Sequence, residues 1–318
     1  MINVGLYILP SDLKYVVNCM LSAIHTAKTP DDLHFNISFD PRFGGYDLES
    51  HKNMIFNFVD SSTVSFIDPH PYLFAGGWGV SPNSLRAGVV AGLQIDNLID
   101  SCQDDHILIA DSDVCFLMPG WDDCMFDLYS PEECPVVAAS GNSPSQNWLG
   151  GPFGDFMLLH VQTIKDNRIR MCKLDVPGER DSLRDIGITL PCEGDVWVPI
   201  TEENSHIWGK SPGDRVYTES TWKLNYILHD QNINYEVFDC DYMKHENDGP
   251  SQYTDSFWYR TNGEEKKDYV CTHMAASRDR KIGGSYYCAW MNDIYSYWDS
   301  ISFDYSKFLN DHDRMLGF

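Results

Sequence analysis

Positive charge is scarce in this chain. Lysine and arginine together number 23, against 47 aspartates and glutamates, for a formal net charge of -24. Duplex DNA, an RNA backbone or an anionic membrane each call for a positive face on the protein, so none is expected as the main partner. Also lacking is any run of about 18 apolar residues, the length a membrane-spanning helix needs, and no transmembrane segment is expected. The ten cysteines are scattered, without a Cys-x-x-Cys pair, which argues against both a zinc site and a disulfide framework. The opening stretch "MINVGLYILPSDLKYVV" has too short an apolar part and no basic leader for a secretory signal. A reducing cytoplasm is the expected location. Internal repeats and low-complexity segments are missing too.

What the chain does have is apolar material. With 43% hydrophobic and 13% aromatic residues over 318 positions, it can bury a substantial core as one large domain or two small ones. The first 120 residues alternate between short apolar runs and stretches of helical spacing, a pattern of α/β architecture. Strands are predicted at 2–9, 33–39, 62–67 and 106–110, and helices at 13–27 and 81–100, with a short helix over "KNMIFNFV". Further on, 135–142, 233–239 and "YVCTH" read as strands, 220–228 as a helix, and 241–268 as a mobile polar insertion. The aromatic tail is expected to pack back on the body.

Asp40, Asp68 and Asp111 each follow the end of a predicted strand. In open parallel sheets the carboxyl edge is where ligands bind, although acids also favour loops and caps on their own account. The stretch "DDHILIADSDVCFLMPGW", residues 104–121, is more pointed. Two carboxylates, Asp111 and Asp113, stand where a buried strand ends, and such a pair is costly unless a cation binds there. Hard oxygen donors of this kind suit Mn²⁺ or Mg²⁺.

That stretch, with the helix before it, resembles the centre of the nucleotide-sugar glycosyltransferases of the GT-A fold, in a family 2-like form. The residues that carry the likeness are Asn83, Arg86, Ile107 to Ala110, Asp111-Ser112-Asp113 and Pro119-Gly120-Trp121, with Pro10 after the first strand and Asp40 after the second. The likeness covers residues 2–125 well and the rest more loosely. It implies a Rossmann-like central mixed sheet flanked by helices, forming a single domain with a C-terminal extension. Residues 1–125 would be the nucleotide-sugar-binding half, 126–290 the acceptor-binding half, and 291–318 an aromatic tail.

The resemblance also implies roles. Asp111 and Asp113 would hold Mn²⁺ or Mg²⁺ on the donor diphosphate, with His273, at the end of "YVCTH", as third ligand. Pro10, Asp40, Asp68, Arg86 and Ser112 would line the nucleotide-sugar site. Gly151, in the glycine-rich segment that runs on to Gly154-Asp155, would lie over the donor sugar, and Arg278, Arg280 and Lys281 would close over the phosphates. An acid at a helix start would serve as general base. Glu219 fits by spacing and Asp214 is the reserve, but Ser220 stands where the family commonly has a second acid.

The implied activity is transfer of a sugar (EC 2.4 type) from a UDP- or GDP-sugar to a hydroxyl of a carbohydrate or glycoconjugate. Two alternatives share the fold. A sugar-phosphate nucleotidyltransferase would carry a glycine-rich basic loop after the first strand, where this chain reads "LPSDLKY". An inactive sugar-binding homologue would be expected to lose the acid pair or His273.

Overall fold

A strand buried on both faces must be covered by helices on both sides, and β1 (Ile2–Ile8) is buried along all seven residues. The computed structural model describes residues 1–8, 12–40, 48–75, 87–140, 152–172, 197–202, 205, 211–217, 221–244, 255–261, 268–274 and 285–317. After β1 come α1 (Leu13–Thr26), β2 (Leu33–Phe39), α2 (Leu48–Phe56), β3 (Val64–Ile67), α3 (Tyr72–Ala75), α4 (Ala87–Ser101) and β4 (His106–Asp111). The middle of the chain forms β5 (Val114–Phe116), α5 (Trp121–Leu128), β6 (Val136–Ser140), β7 (Pro152–His160), α6 (Val161–Asp166), β8 (Trp197–Pro199), β9 (Arg215–Tyr217) and α7 (Trp222–Asp230). The last elements are β10 (Glu236–Lys244), β11 (Asp255–Arg260), β12 (Tyr269–His273), α8 (Ser285–Ser300) and α9 (Ser306–Leu316).

Ten strands form one mixed sheet in the order β3-β2-β1-β4-β7-β6-β10-β11-β12-β5, while β8 and β9 pair separately. The first four strands run parallel, and β7 is antiparallel to both of its neighbours. Alternation along the strands sorts side chains onto two faces. Leu108 and Ala110 join α1, α5, α8 and α9 in one core, whereas Ile107 and Ile109 join α4, α6 and α7 in the other. The strands add to one side of β1 through β3, and the chain then crosses to the other side with β4. Such a reversal opens a crevice at the carboxyl ends of β1 and β4.

The order of strands imposes a second constraint. Only Ser112 and Asp113 separate β4 from β5, yet the two strands stand fourth and tenth in the sheet. Six interstrand spacings in a flat sheet would be about 29 Å, while the chain from Asp111 to Val114 reaches about 11 Å at most. The mixed half beyond β4 therefore curls back, and its far edge lies against the carboxyl end of β4. This curl carries the end of β12 to the acid pair, because β12 pairs with β5 and sets His273 opposite Val114.

The aromatic tail forms α8 and α9. The Trp298 indole donates to the Leu117 carbonyl at 2.9 Å. His312 lies between the Tyr287 and Tyr295 hydroxyls at 2.7 and 2.8 Å, and burial pushes its pKa down to about 4. The Pro119-Gly120-Trp121 turn is a joint of the same kind. Gly120 adopts φ 77°, which favours glycine, and the Trp121 indole donates to the Ala23 carbonyl at 3.0 Å.

Two expectations need correction, and one element is new. Strand β5 was not foreseen, because three residues after a turn carry too little pattern. The polar stretch 241–268 is not simply an insertion, since it completes β10 and contributes β11, where Trp258 and Tyr259 are buried. The strand predicted at 233–239 begins at Glu236 and runs on to Lys244. The described cysteines are all free, and no helix among the described residues is long and apolar enough to cross a membrane.

Helix α4 grips the segment after α6 in two ways. Asp96 accepts from the Met171 and Cys172 amides at 2.7 and 3.0 Å, and one turn earlier Gly92 lets that backbone approach. A Cβ on Gly92 would meet Cys172 Cα and the Met171 carbonyl oxygen, both at 2.5 Å. Neither is the end of a flexible side chain, so Gly92→Ala is expected to destabilise the fold by about 1–3 kcal/mol. Chemical denaturation measures this, and a variant as stable as the parent would contradict the close contact.

Candidate metal centre

Asp111 closes β4 on the same face as Ile107 and Ile109. Its Oδ1 accepts from the Ser112 amide at 2.7 Å, which fixes the carboxylate and turns Oδ2 toward His273. The Ser112-Asp113 turn leads into β5, whose partner β12 delivers the imidazole. His273 Nε2 lies 3.1 Å from Asp113 Oδ1 and 3.6 Å from Asp111 Oδ2. The Met274 amide donates to the Asp113 carbonyl at 3.1 Å, so backbone as well as side chains fixes this junction. Asp113 and His273 are buried, while Asp111 is part-exposed.

Donor atoms of Asp111, Asp113 and His273 all lie within 4.8 Å of one another. Adjacent ligands around an octahedral ion with bonds of about 2.1 Å stand about 3.0 Å apart. The spacing and the donor set, two carboxylates and an imidazole, therefore fit a divalent ion with open positions left for other ligands.

Two further groups belong to the centre. Tyr7 on β1 pairs in register with Asp111, and its hydroxyl donates to the Gly154 carbonyl at 3.4 Å. Burial raises the pKa of this phenol well above its ordinary value, and the charges of Asp111, Asp155 and Asp113 and a hydrogen bond to Asp111 raise it further. Asp155 on β7 stands one residue beyond the Ala110–Phe156 pair, and its Oδ2 lies 3.0 Å from His273 Nδ1. That contact is one of charge, since neither atom is aligned there as a hydrogen-bond partner. Tyr7 carries no expectation from the sequence, and Asp155 appears there only as the end of the glycine-rich segment. An acid at the start of an antiparallel strand lies at the same sheet edge as one at the end of a parallel strand. The signal in "GDFMLLH" was therefore the same as in "HILIAD", but the strand direction needed to read it was missing.

The charges act on one another. Burial alone would lower the His273 imidazole, but Asp155 and Asp113 and the hydrogen bonds with Asp111 and Asp113 outweigh it and raise its pKa well above the usual value. Burial raises the Asp111 carboxyl, the neighbouring Asp113 charge adds to this, and His273 pulls it back in part.

Of the other expected site residues, Asp40, Asp68 and Asp214 are described. Asp40 is fully buried beyond β2, its amide donating to the Ile8 carbonyl at 2.8 Å. Asp68 is exposed beyond β3, and its carbonyl accepts from Asn97. Asp214 is exposed in the β8–β9 connection, where its carboxylate accepts from the Ser211 amide at 3.2 Å. Pro10, Arg86, Gly151, Glu219, Arg278, Arg280 and Lys281 lie outside the described residues.

No protein-family model and no curated protein matches the chain. Solved structures to which it is similar include the galactosyltransferase LgtC in complex with donor and acceptor sugar analogues. That pair shares 15% identity over 52% of this chain and 60% of LgtC, with a TM-score of 0.36. Mouse xyloside xylosyltransferase 1 shares 12% identity over 75% of this chain and 85% of its own, at a TM-score of 0.42. A mannosyltransferase from Pyrobaculum calidifontis, solved with GDP-Man and Mn²⁺, shares 11% over 60% and 55%, at 0.38. The chain thus spans under two thirds of the galactosyltransferase and the mannosyltransferase.

A cation that binds His273 must displace its proton. With the imidazole raised, Mn²⁺ affinity is expected to fall as pH drops below that raised pKa, by up to about tenfold per unit for one displaced proton. The stability that a raised imidazole lends the metal-free protein is complete below about pH 6.5 and is lost as pH rises through the folded value. The raised Asp111 carboxyl likewise favours the metal-free fold at low pH. Thermal unfolding with and without Mn²⁺ should therefore show a larger stabilisation near pH 8 than near pH 6. Equal shifts would contradict the proton displacement.

Proposed function

We propose that this chain is a metal-dependent glycosyltransferase that moves a sugar from a nucleotide-sugar donor to a hydroxyl acceptor. The observation that carries the reading is the meeting of Asp111, Asp113 and His273 at the crevice between the carboxyl ends of β1 and β4. Two acids on one turn are common in an acidic chain. An imidazole brought to them from 160 residues further on (273 − 113) is not a local accident of composition.

In this reading Asp111, Asp113 and His273 hold Mn²⁺ (or Mg²⁺), with the imidazole favouring the softer ion. When bound, that ion would offset charge on the leaving nucleoside diphosphate. Arg278, Arg280 and Lys281 follow His273 closely in sequence, and in a chain so short of cations they are the groups assigned to the diphosphate. Guanidinium forks suit that contact. UDP- and GDP-sugars are the donors to test first, with a carbohydrate or glycoconjugate as acceptor. Asp40, Asp68, Arg86, Ser112, Pro10 and Gly151 are assigned to the donor site. Glu219, with Asp214 in reserve, is assigned the acceptor proton if the reaction inverts configuration.

Asp113→Asn tests the reading. The variant is expected to unfold in the same cooperative way as the parent. Its Mn²⁺-dependent affinity for a nucleotide sugar is expected to fall by more than the roughly 10–100-fold loss caused by a supporting residue. Calorimetry across UDP-, GDP-, CMP- and dTDP-sugars, with and without Mn²⁺, measures it. Failure of every donor to bind the parent in the presence of metal would contradict the transferase reading, and unchanged binding by the variant would move the donor elsewhere.

A further inference from the structure

Asp155 is a third carboxylate in a buried acidic centre, and burying another negative charge is costly without a compensating partner. The imidazole is that partner. It stands between Asp155 and the acid pair, with Nε2 toward Asp111 and Asp113 and Nδ1 toward Asp155. The backbone is shaped for this contact. Against β6, the register of β7 jumps from Ala138–Met157 to Ala139–Phe153, so the residues between, Asp155 among them, form a bulge. Bulges re-aim side chains and are frequent beside functional sites.

A neutral imidazole that binds a cation through Nε2 must carry its proton on Nδ1. The Asp155 carboxylate, 3.0 Å from Nδ1, favours that tautomer by its charge and makes Nε2 a better donor. We propose that Asp155 is the positioning residue for His273, acting on the bound cation through the ring. From the far side of that ring it meets the ligand and not the ion. Tyr7 on β1, in register with Asp111, donates its hydroxyl to the Gly154 carbonyl next to Asp155, so the neighbouring strands β1 and β7 meet beside the acid pair. The inference rests on the reading of this centre as the cation site of a sugar-transfer enzyme.

The test is Mn²⁺ affinity of the full chain, followed by loss of the free-ion electron paramagnetic resonance signal. It compares the parent, Asp155→Asn, Asp155→Ser, His273→Ala and the double variant His273→Ala with Asp155→Asn, with Mn²⁺ extended to millimolar so that the remaining acid pair is titrated. Asp155→Asn is expected to weaken binding about tenfold and Asp155→Ser up to about 100-fold, with unfolding of the metal-free protein still cooperative. In the His273→Ala background Asp155→Asn is expected to change nothing further, because a residue that acts through the ring has no effect without it.

Parent-like affinity in both Asp155 variants, or an equal loss with and without the imidazole, overturns the proposal. Should Asp155→Asn fail to fold, Asp155→Ser is carried through the same cycle. A parent that binds Mn²⁺ and shows this coupling, but takes no nucleotide sugar, sinks the transferase reading and leaves the role of Asp155 standing. A parent that binds donor with Mn²⁺ while the variants match it does the reverse.

Discussion

Negative charge gathered around one imidazole is the constraint on which the rest of the structure turns. Asp111, Asp113 and Asp155 reach His273 from two sides, and the Tyr7 hydroxyl adds a dipole rather than a charge. Like charges so close in a part-buried site repel one another, which raises the Asp111 carboxyl, and positive charge at their centre offsets the repulsion. In the metal-free protein the same carboxylates raise the imidazole pKa and so favour its charged form. A divalent cation beside Nε2 would supply positive charge better, with the ring neutral and serving as donor. The centre is thus poised to exchange a proton for a metal ion.

The fold pays for this arrangement in chain topology. A parallel sheet alone would bring Tyr7 and Asp111 together at the switch point, because β1 and β4 are neighbours in register. It would not supply the imidazole. That requires the mixed half beyond β4 to curl until β5, two residues beyond β4, becomes the far edge of the same sheet. The buried Trp298 and Trp121, each donating to a backbone carbonyl, fasten the outer helices to that curl and to α1. Aromatic residues in the tail thereby serve the site without touching it.

Much of the first half was legible in the sequence, because each parallel strand is a short apolar run with a clear end. The acid pair could be read for the same reason, since Asp111-Ser112-Asp113 interrupts a buried strand. His273 could be singled out only through resemblance, as nothing in "YVCTH" states where its strand lies. Asp155 and Tyr7 were passed over because their importance is one of register across three strands, and one strand's sequence does not encode its neighbours. The stretch 241–268 misled by composition. A strand at the curled side of a sheet can be polar along much of its length, and Trp258-Tyr259 was too short an apolar signal against it. Glu219, Arg86 and the basic group after His273 are candidates lying outside the described residues.

Pulsed electron paramagnetic resonance on the Mn²⁺-loaded protein tests the central claim most directly. The account predicts a ¹⁴N coupling from one imidazole that disappears in His273→Ala, and a ³¹P coupling that appears when a nucleoside diphosphate is added. A Mn²⁺ spectrum with no nitrogen coupling in the parent protein would contradict it.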